Sequence, residues 1–378
     1  MVRRLSLTRP RFALVAAVLT LLFAGLPAAP AGAAADFVVT KTADTADGTC
    51  DSDCSLREAV IAANATPGDD VIDLPAGTYM LTLRGSPSIN PAYGDLDIER
   101  EQGTTTILGS GRTNTVIDAS GLRGGVLPNP DRVFTVHFGA GLELVGVTVT
   151  GGYTLNGSAR DGGGIWNWNG VLTITDSLIE GNVAAEDGGG IANAYGTATL
   201  TNTIVRDNNT DPPEYLTTGH GGGIQNAGTM TIIDSTIELN QTVWGGGLAN
   251  ELVLEAYEPS FTIEDILVSS NTARDGAGVA NIESVPGTET ATVTIIGSEV
   301  SANQAVRSTS GNEGGGLLNL GPFASMSVVD STIANNQVTS FEGVHPTDGS
   351  GGGIHNRSGT VDVMGSTIRD NSVICDQN

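Results

Sequence analysis

A six-residue pattern, Gly-Gly-Gly-apolar-x-Asn, recurs seven times, and no other feature of the chain restricts its possible folds as much. The pattern ends at Asn167, Asn193, Asn226, Asn250, Asn281 (as Gly-Ala-Gly), Asn319 and Asn356. A second asparagine follows each block, at Asn182, Asn208, Asn240, Asn271, Asn303, Asn336 and Asn371, and successive members lie 26 to 35 residues apart. Self-similarity at such a period marks a solenoid, in which each repeat is too small to bury its own apolar face and is stable only when stacked on its neighbours.

Alignment on the second asparagine gives the side-chain directions. Three residues before it stand Ile179, Val205, Ile237, Val268, Val300, Ile333 and Ile368. Eight before it stand Ile174, Leu200, Ile232, Ile263, Ile295, Val328 and Val363, and ten before it Leu172, Ala198, Met230, Phe261, Val293, Met326 and Val361. The column between those two is Thr173, Thr199, Thr231, Thr262, Thr294, Ser327 and Asp362. Apolar and hydroxyl residues therefore alternate with period two, the signature of a half-buried strand and not of a helix. Three short strands and three bends per repeat predict an all-β fold, a single-stranded right-handed parallel β-helix. In the bends, glycine supplies positive φ and asparagine is expected to share that conformation. Asparagines on successive coils are also placed to hydrogen-bond amide to amide along the axis. These columns read as structural and not as ligands.

Upstream, residues 71–83, 94–120 and 132–151 read as three irregular coils. The β-helix is then expected to cover 71–378 in about ten coils, seven of them regular (151–371). Before it, Ser55 and Glu58 form a capping box, and Leu56, Ala59, Val60 and Ala63 line one helical face. A short helix within a cap spanning 36–70 would cover the N-terminal edge of the solenoid, whose unpaired strands are otherwise exposed. No comparable segment follows Asn371.

Residues 1–35 combine Arg3, Arg4, Arg9 and Arg11 with an apolar run from Ala13 to Leu26 and small residues at Ala31-Gly32-Ala33. That order predicts a secretory leader, too short for a membrane span. The formal charge is −25; subtracting four leader arginines gives −29, with Lys41 the single lysine. Such a surface repels nucleic acid and anionic membranes and attracts divalent cations. In an exported chain Cys50 and Cys54 are better placed for a short-loop disulfide than for a metal site, since no histidine lies nearby; Cys375 is left over.

The string Cys54-Ser55-Leu56-Arg57-Glu58-Ala59 is identified as that of exported bacterial CSLREA-domain proteins. The Gly-Gly-Gly-Ile-x-Asn and Ser-x-Ile-x-x-Asn repeats resemble those of right-handed β-helix repeat proteins and, more loosely, of polymorphic outer membrane proteins. The resemblance covers residues 36–371. It implies a pectate-lyase-like β-helix and an extracellular or surface location. It carries no catalytic motif with it. Asn209-Thr210-Asp211 and Gly219-His220-Gly221 resemble two polygalacturonase motifs, but here they share one loop and lack the companion Asp-Asp and Arg-x-Lys.

Function must therefore be sought where the repeat is broken. The residue before each glycine block is Asp161, Asp187, His220, Trp244, Asp275, Glu313 and Ser350. Stacked in register, Asp161 and Asp187 would repel each other, and a calcium ion between them would relieve the repulsion. The alternative is a purely local turn role, which also suits the second acidic column, Asp176, Asn202, Asp234, Asp265 and Asp330. Trp166 and Trp168 suggest a glycan-stacking patch, against the alternative that they pack under loops of the preceding coil. Loops 209–219, 304–313 and 337–350 vary most, as partner-recognition segments do. The expectation is an exported, non-catalytic binding protein, adhesin-like or glycan-binding, whose partner is a polysaccharide or a cell-surface protein. A polysaccharide lyase or glycoside hydrolase is the competing reading.

Overall fold

The structure, a computed structural model, describes residues 36–85, 90–99, 103–123, 130–154, 160–210, 219–253, 257–284, 289–307, 313–340 and 350–375. The expected leader, Asp211 and the side chain of Cys375 lie outside these residues, as do parts of the three variable loops. Among the described residues no helix is long and apolar enough to cross a membrane.

The alternation of apolar and hydroxyl residues is realised as a parallel β-helix. The strands form a first sheet of eleven, from Asp36–Val38 and Asp70–Leu74 to Thr360–Met364. A second sheet of ten runs from Gly77–Met80 to Thr367–Arg369, and a third of nine from Leu96–Ile98 to Ile354–Arg357. The third sheet thus marks nine complete turns, and strands of the first and second sheets begin a tenth. Register follows the sequence columns: Leu172 pairs with Ala198, Ala198 with Met230, and Met230 with Phe261. The threonine column is in register on the same strands, half-exposed beside fully buried neighbours. Parallel stacking thereby gives each buried side chain an apolar partner on the coil above and below, forming one continuous core.

The first asparagine column lies on strands of the third sheet and the second in the bend after the second sheet, and both are closed into ladders. Asn167 Nδ2 donates to Asn193 Oδ1 at 2.7 Å, and the pattern continues through Asn226, Asn250, Asn281 and Asn319 to Asn356. In the second ladder Asn182 donates to Asn208 from both its backbone N–H and Nδ2, each at 3.1 Å. The same arrangement runs through Asn240, Asn271, Asn303 and Asn336 to Asn371. One expectation is corrected: no ladder asparagine has positive φ. The positive φ falls on the residue before the second ladder, at Gly181, Asp207, Leu239, Ser270, Ala302, Asn335 and Asp370. Asparagine is needed for its amide, which saturates buried backbone groups, and the strain is carried one residue earlier.

A second difference is a fourth, short sheet. Gln241–Trp244, Thr272–Asp275, Gln304–Arg307, Gln337–Ser340 and Ser372–Cys375 pair in parallel, so the later turns carry four strands and not three. Single bridges carry the same line back through Asn209 and Val183 to Tyr153. Segments 304–307 and 337–340, read from sequence as loop, are strands.

At the N-terminal end the helix Leu56–Ala65 packs on Asp70–Leu74 and Leu96–Ile98 and buries Leu56, Ala59, Val60 and Ala63. Its capping box is complete. All six residues of the Cys54–Ala59 string are buried, which gives each a structural task. Cys54 is disulfide-bonded to Cys50, Ser55 caps the helix, and Leu56 and Ala59 enter the core. Arg57, fully buried, donates to Asp44 at 2.7 Å and to the carbonyls of Pro91 and Gly94 at 2.7 and 2.8 Å, which ties the cap to the first turn. Burial opposes the charge of Glu58. Hydrogen bonds from Ser55, Thr45 and Asp47, with Lys41 nearby, outweigh it and draw the carboxyl down to about 2.

The acidic column Asp176, Asn202, Asp234, Asp265 and Asp330 occupies bends with φ near +50° throughout. Short polar side chains tolerate this conformation best, so the column has a backbone explanation.

Candidate functional site

The outer face of the third sheet is where the repeat stops being uniform. Its outward column, read along the axis, is Asp97, Thr135, Trp166, Ala192, Gln225, Ala249, Ala280, Leu318 and His355. The parallel register holds each of these one strand spacing from the next. Apart from Ala192, the first five turns present polar or aromatic residues, and Ala249, Ala280 and Leu318 follow before His355.

At the N-terminal end of this face, His137 Nε2 lies 2.7 Å from Asp97 Oδ1. The Trp168 ring meets His137 edge-on at 6.5 Å and stacks on Trp166 at 5.9 Å, with 8° between the planes. Alternation along one strand puts both indoles on the same side, and Trp168 is 40% exposed. Trp166 is covered from the preceding turn by the Arg132 guanidinium, 4.9 Å from its ring centre, and Arg132 in turn donates to Thr135 Oγ1. Trp166 thus packs against the preceding turn, and Trp168 is the more exposed of the two. Tyr195 and Tyr257 form a second aromatic pair, 4.5 Å apart.

Beside the middle of this face, on the line of chain that leads from the fourth sheet into the third, the surface is acidic. Asp161 and Asp187 occupy adjacent turns, and the backbone N–H of Asp187 donates to Asp161 Oδ1 at 3.3 Å. Asp187 Oδ1 also accepts from the His220 backbone N–H at 2.9 Å and lies 3.0 Å from His220 Nδ1. From the other side Glu251 Oε2 approaches the same nitrogen to 3.5 Å. Glu251 is buried, and its Oε1 accepts from the Ser284 hydroxyl at 2.6 Å. The Trp244 ring stacks on His220 at 6.4 Å, and Arg274 lies over Trp244 while pairing with Asp275 at 2.7 Å.

This packing perturbs a set of ionisable groups together. Burial, reinforced by Asp187, pushes the Asp161 carboxyl up to about 7. Burial, with Asp95 adding to it, lifts Asp131 to about 7. Asp97 is lifted to about 6 by burial, partly offset by His137. Glu251 and Asp275 are also raised, burial being the main cause in both. Burial alone would lower His220; the Asp187 hydrogen bond and the Glu251 charge outweigh it and raise the imidazole. Carboxyls that hold protons near neutrality are both donors and acceptors, and a concentration of perturbed groups makes this surface a candidate functional site.

The structure therefore brings together Asp161 and Asp187 on one face with Trp166 and Trp168. His220 stood in the sequence column and in a motif set aside for want of its companions, and not as a metal ligand. Glu251 was missed, although it breaks an otherwise largely apolar column: it pairs with Ile282, and Ile282 with Leu320. Nothing in sequence pointed to the Asp97–His137 pair.

No family model matches the chain, and no curated protein matches it. Three solved structures do. Pectate lyase Pel9A aligns over 92% of this chain and 80% of its own, with 13% identity and a TM-score of 0.47. The A-modules of the Azotobacter vinelandii mannuronan C-5 epimerases AlgE4 and AlgE6 each cover 91% of this chain. They span 98% and 96% of their own length, at 15% and 17% identity, both with a TM-score of 0.39.

Proposed function

We propose that the chain is an exported, adhesin-like binding protein whose third-sheet face holds a glycan. The observation that carries the reading is the exposed Trp168 ring, stacked on Trp166 and set beside a row of carboxyls and two histidines. Sugar rings offer apolar C–H faces to an aromatic ring and hydroxyls to polar neighbours, and this face supplies both along one axis. A polymer lying across successive turns would meet a new set of groups at each rung. The Cys50–Cys54 disulfide agrees with an oxidising, extracytoplasmic compartment. The formal charge of −25 favours a neutral or cationic glycan over an acidic one and argues against nucleic acid.

A glycan array read with the wild type, Trp168→Ala and Trp166→Ala tests this. Trp168→Ala is expected to lower retention at least about tenfold with little change in melting temperature, because its ring is exposed. Trp166→Ala is expected to lower both, since its ring also packs under Arg132. Retention unchanged in both variants would remove the aromatic platform from the account.

Polysaccharide cleavage has one observation in its favour. Burial and the Asp187 charge lift the Asp161 carboxyl to about 7, which suits a general acid beside a second carboxyl group. Product release from neutral and acidic polysaccharides, abolished by Asp161→Asn, would make the chain an enzyme.

A further inference from the structure

We propose that Asp187, His220 and Glu251 form a binding site for a borderline transition-metal dication, with zinc as the best-fitting ion. The three residues come from three successive turns, and their ligand atoms all lie within 4.8 Å of one another. Nδ1 of His220 faces Asp187 Oδ1 at 3.0 Å and Glu251 Oε2 at 3.5 Å, so both carboxylates already approach the same ring nitrogen.

The donor set selects the ion. One imidazole nitrogen with two carboxylates is a zinc-type ligand set that leaves a fourth position open. Calcium takes six to eight oxygens and gains nothing from imidazole. The site is distinct from the calcium position expected between Asp161 and Asp187, although Asp187 is common to both.

The ligands are also held from behind, as metal ligands need to be. The His220 backbone N–H fixes Asp187 Oδ1 at 2.9 Å. The Ser284 hydroxyl bonds Glu251 Oε1 and the Gln225 side chain also holds this carboxylate, whose Oε2 lies 3.5 Å from the imidazole. Trp244 stacks on the imidazole ring. Nearby positive charge is already engaged: Arg274 pairs with Asp275, and Arg160 with Glu186. The side chains of Asp187 and His220 are 25% and 18% exposed, so an ion can enter from solvent and keep an open position there. In the metal-bound form the ion replaces the proton that otherwise bridges His220 to the carboxylates, and that proton leaves to solvent.

This site does not depend on the glycan reading, and the measurements are separate. The full chain, stripped with chelator, is titrated with zinc, manganese and calcium by calorimetry and by competition with a chromophoric zinc indicator. His220→Asn and Glu251→Gln are titrated in parallel, and circular dichroism and melting curves establish that each variant is folded. The expected result is one zinc per chain at low-micromolar affinity or better, a zinc-dependent rise in melting temperature, and at least a tenfold loss of affinity in either folded variant. Absence of zinc uptake, or uptake undiminished in both variants, overturns the proposal. So does calcium uptake indifferent to His220→Asn, which would mark an all-oxygen site at Asp161 and Asp187.

Discussion

The asparagine ladders and the third-sheet face are built from the same coils and obey opposite rules. Along each ladder the same residue recurs seven times and each buried amide finds its counterpart on the next turn. Along the face the residue changes at almost every rung, and neighbours conflict: the Asp187 charge adds to the burial that raises the Asp161 carboxyl. A stacked fold repeats whatever its backbone requires and is free to vary elsewhere. Variation is therefore where function is to be sought, and repetition where stability resides.

If this contrast holds, the two regions fail differently under substitution. The largest effect is expected in mid-ladder. Asn240→Ala removes the acceptor for Asn208 and the donor to the Val205 carbonyl and to Asn271, leaving buried groups unpaired. A loss of about 3 kcal/mol or more is expected in urea unfolding. Asn356→Ala, at the exposed end of the other ladder, should cost less than about 1 kcal/mol. Equal losses at the two sites would show that ladder burial is not what matters.

The face should instead govern the dependence on pH. Asp97, Asp131 and Asp161 have folded values near 6, 7 and 7, above those of the unfolded chain. The folded state thus binds more protons between about pH 4 and 7, and stability falls as pH rises through that window. The raised His220 acts in the same direction, its stabilisation being lost as pH rises through its folded value. Glu58, drawn down to about 2, has the opposite sign but acts only below its ordinary value. Melting temperature is therefore expected to be higher at pH 5 than at pH 8. Asp161→Asn should shrink the difference, by the equivalent of about 1–2 kcal/mol, because it removes a charge that burial disfavours. Asn240→Ala should lower the melting temperature at both pH values and leave the difference alone. A flat profile in the wild type would contradict the account of the face.

The smallest effect tests the bend. Leu239 sits at φ +57° with an exposed side chain, one residue before a ladder asparagine. Leu239→Gly relieves about 1–2 kcal/mol of left-handed strain and restores about 0.5–1 kcal/mol of unfolded-chain freedom. A net gain of a few tenths to about 1 kcal/mol is expected in the urea midpoint, and a loss would mean that Leu239 packs more than its exposure suggests.

Thr173 and its counterparts made the strands legible, because a hydroxyl column between two apolar columns has only one period. Ser55 and Glu58 announced the helix in the same local way. The fourth sheet was not legible, since strands such as Gln241–Trp244 are short, of mixed character and preceded by single bridges at Tyr153, Val183 and Asn209. Arg57 could be recognised by its string but not explained, because its partners at Pro91 and Gly94 lie more than thirty residues away.

Spacing and periodicity alone settle the parallel stack, its register and the two ladders, because each repeats a local rule in one dimension and adjacent repeats must coincide. The cluster at His220 has a different origin. Asp187 and His220 share one column, but Glu251 belongs to another, and alignment of columns predicts neighbours along the axis and not across a bend. Only the path of the chain around each turn brings Glu251 to within 3.5 Å of His220. The burial that moves their proton affinities exists only once the turns are stacked.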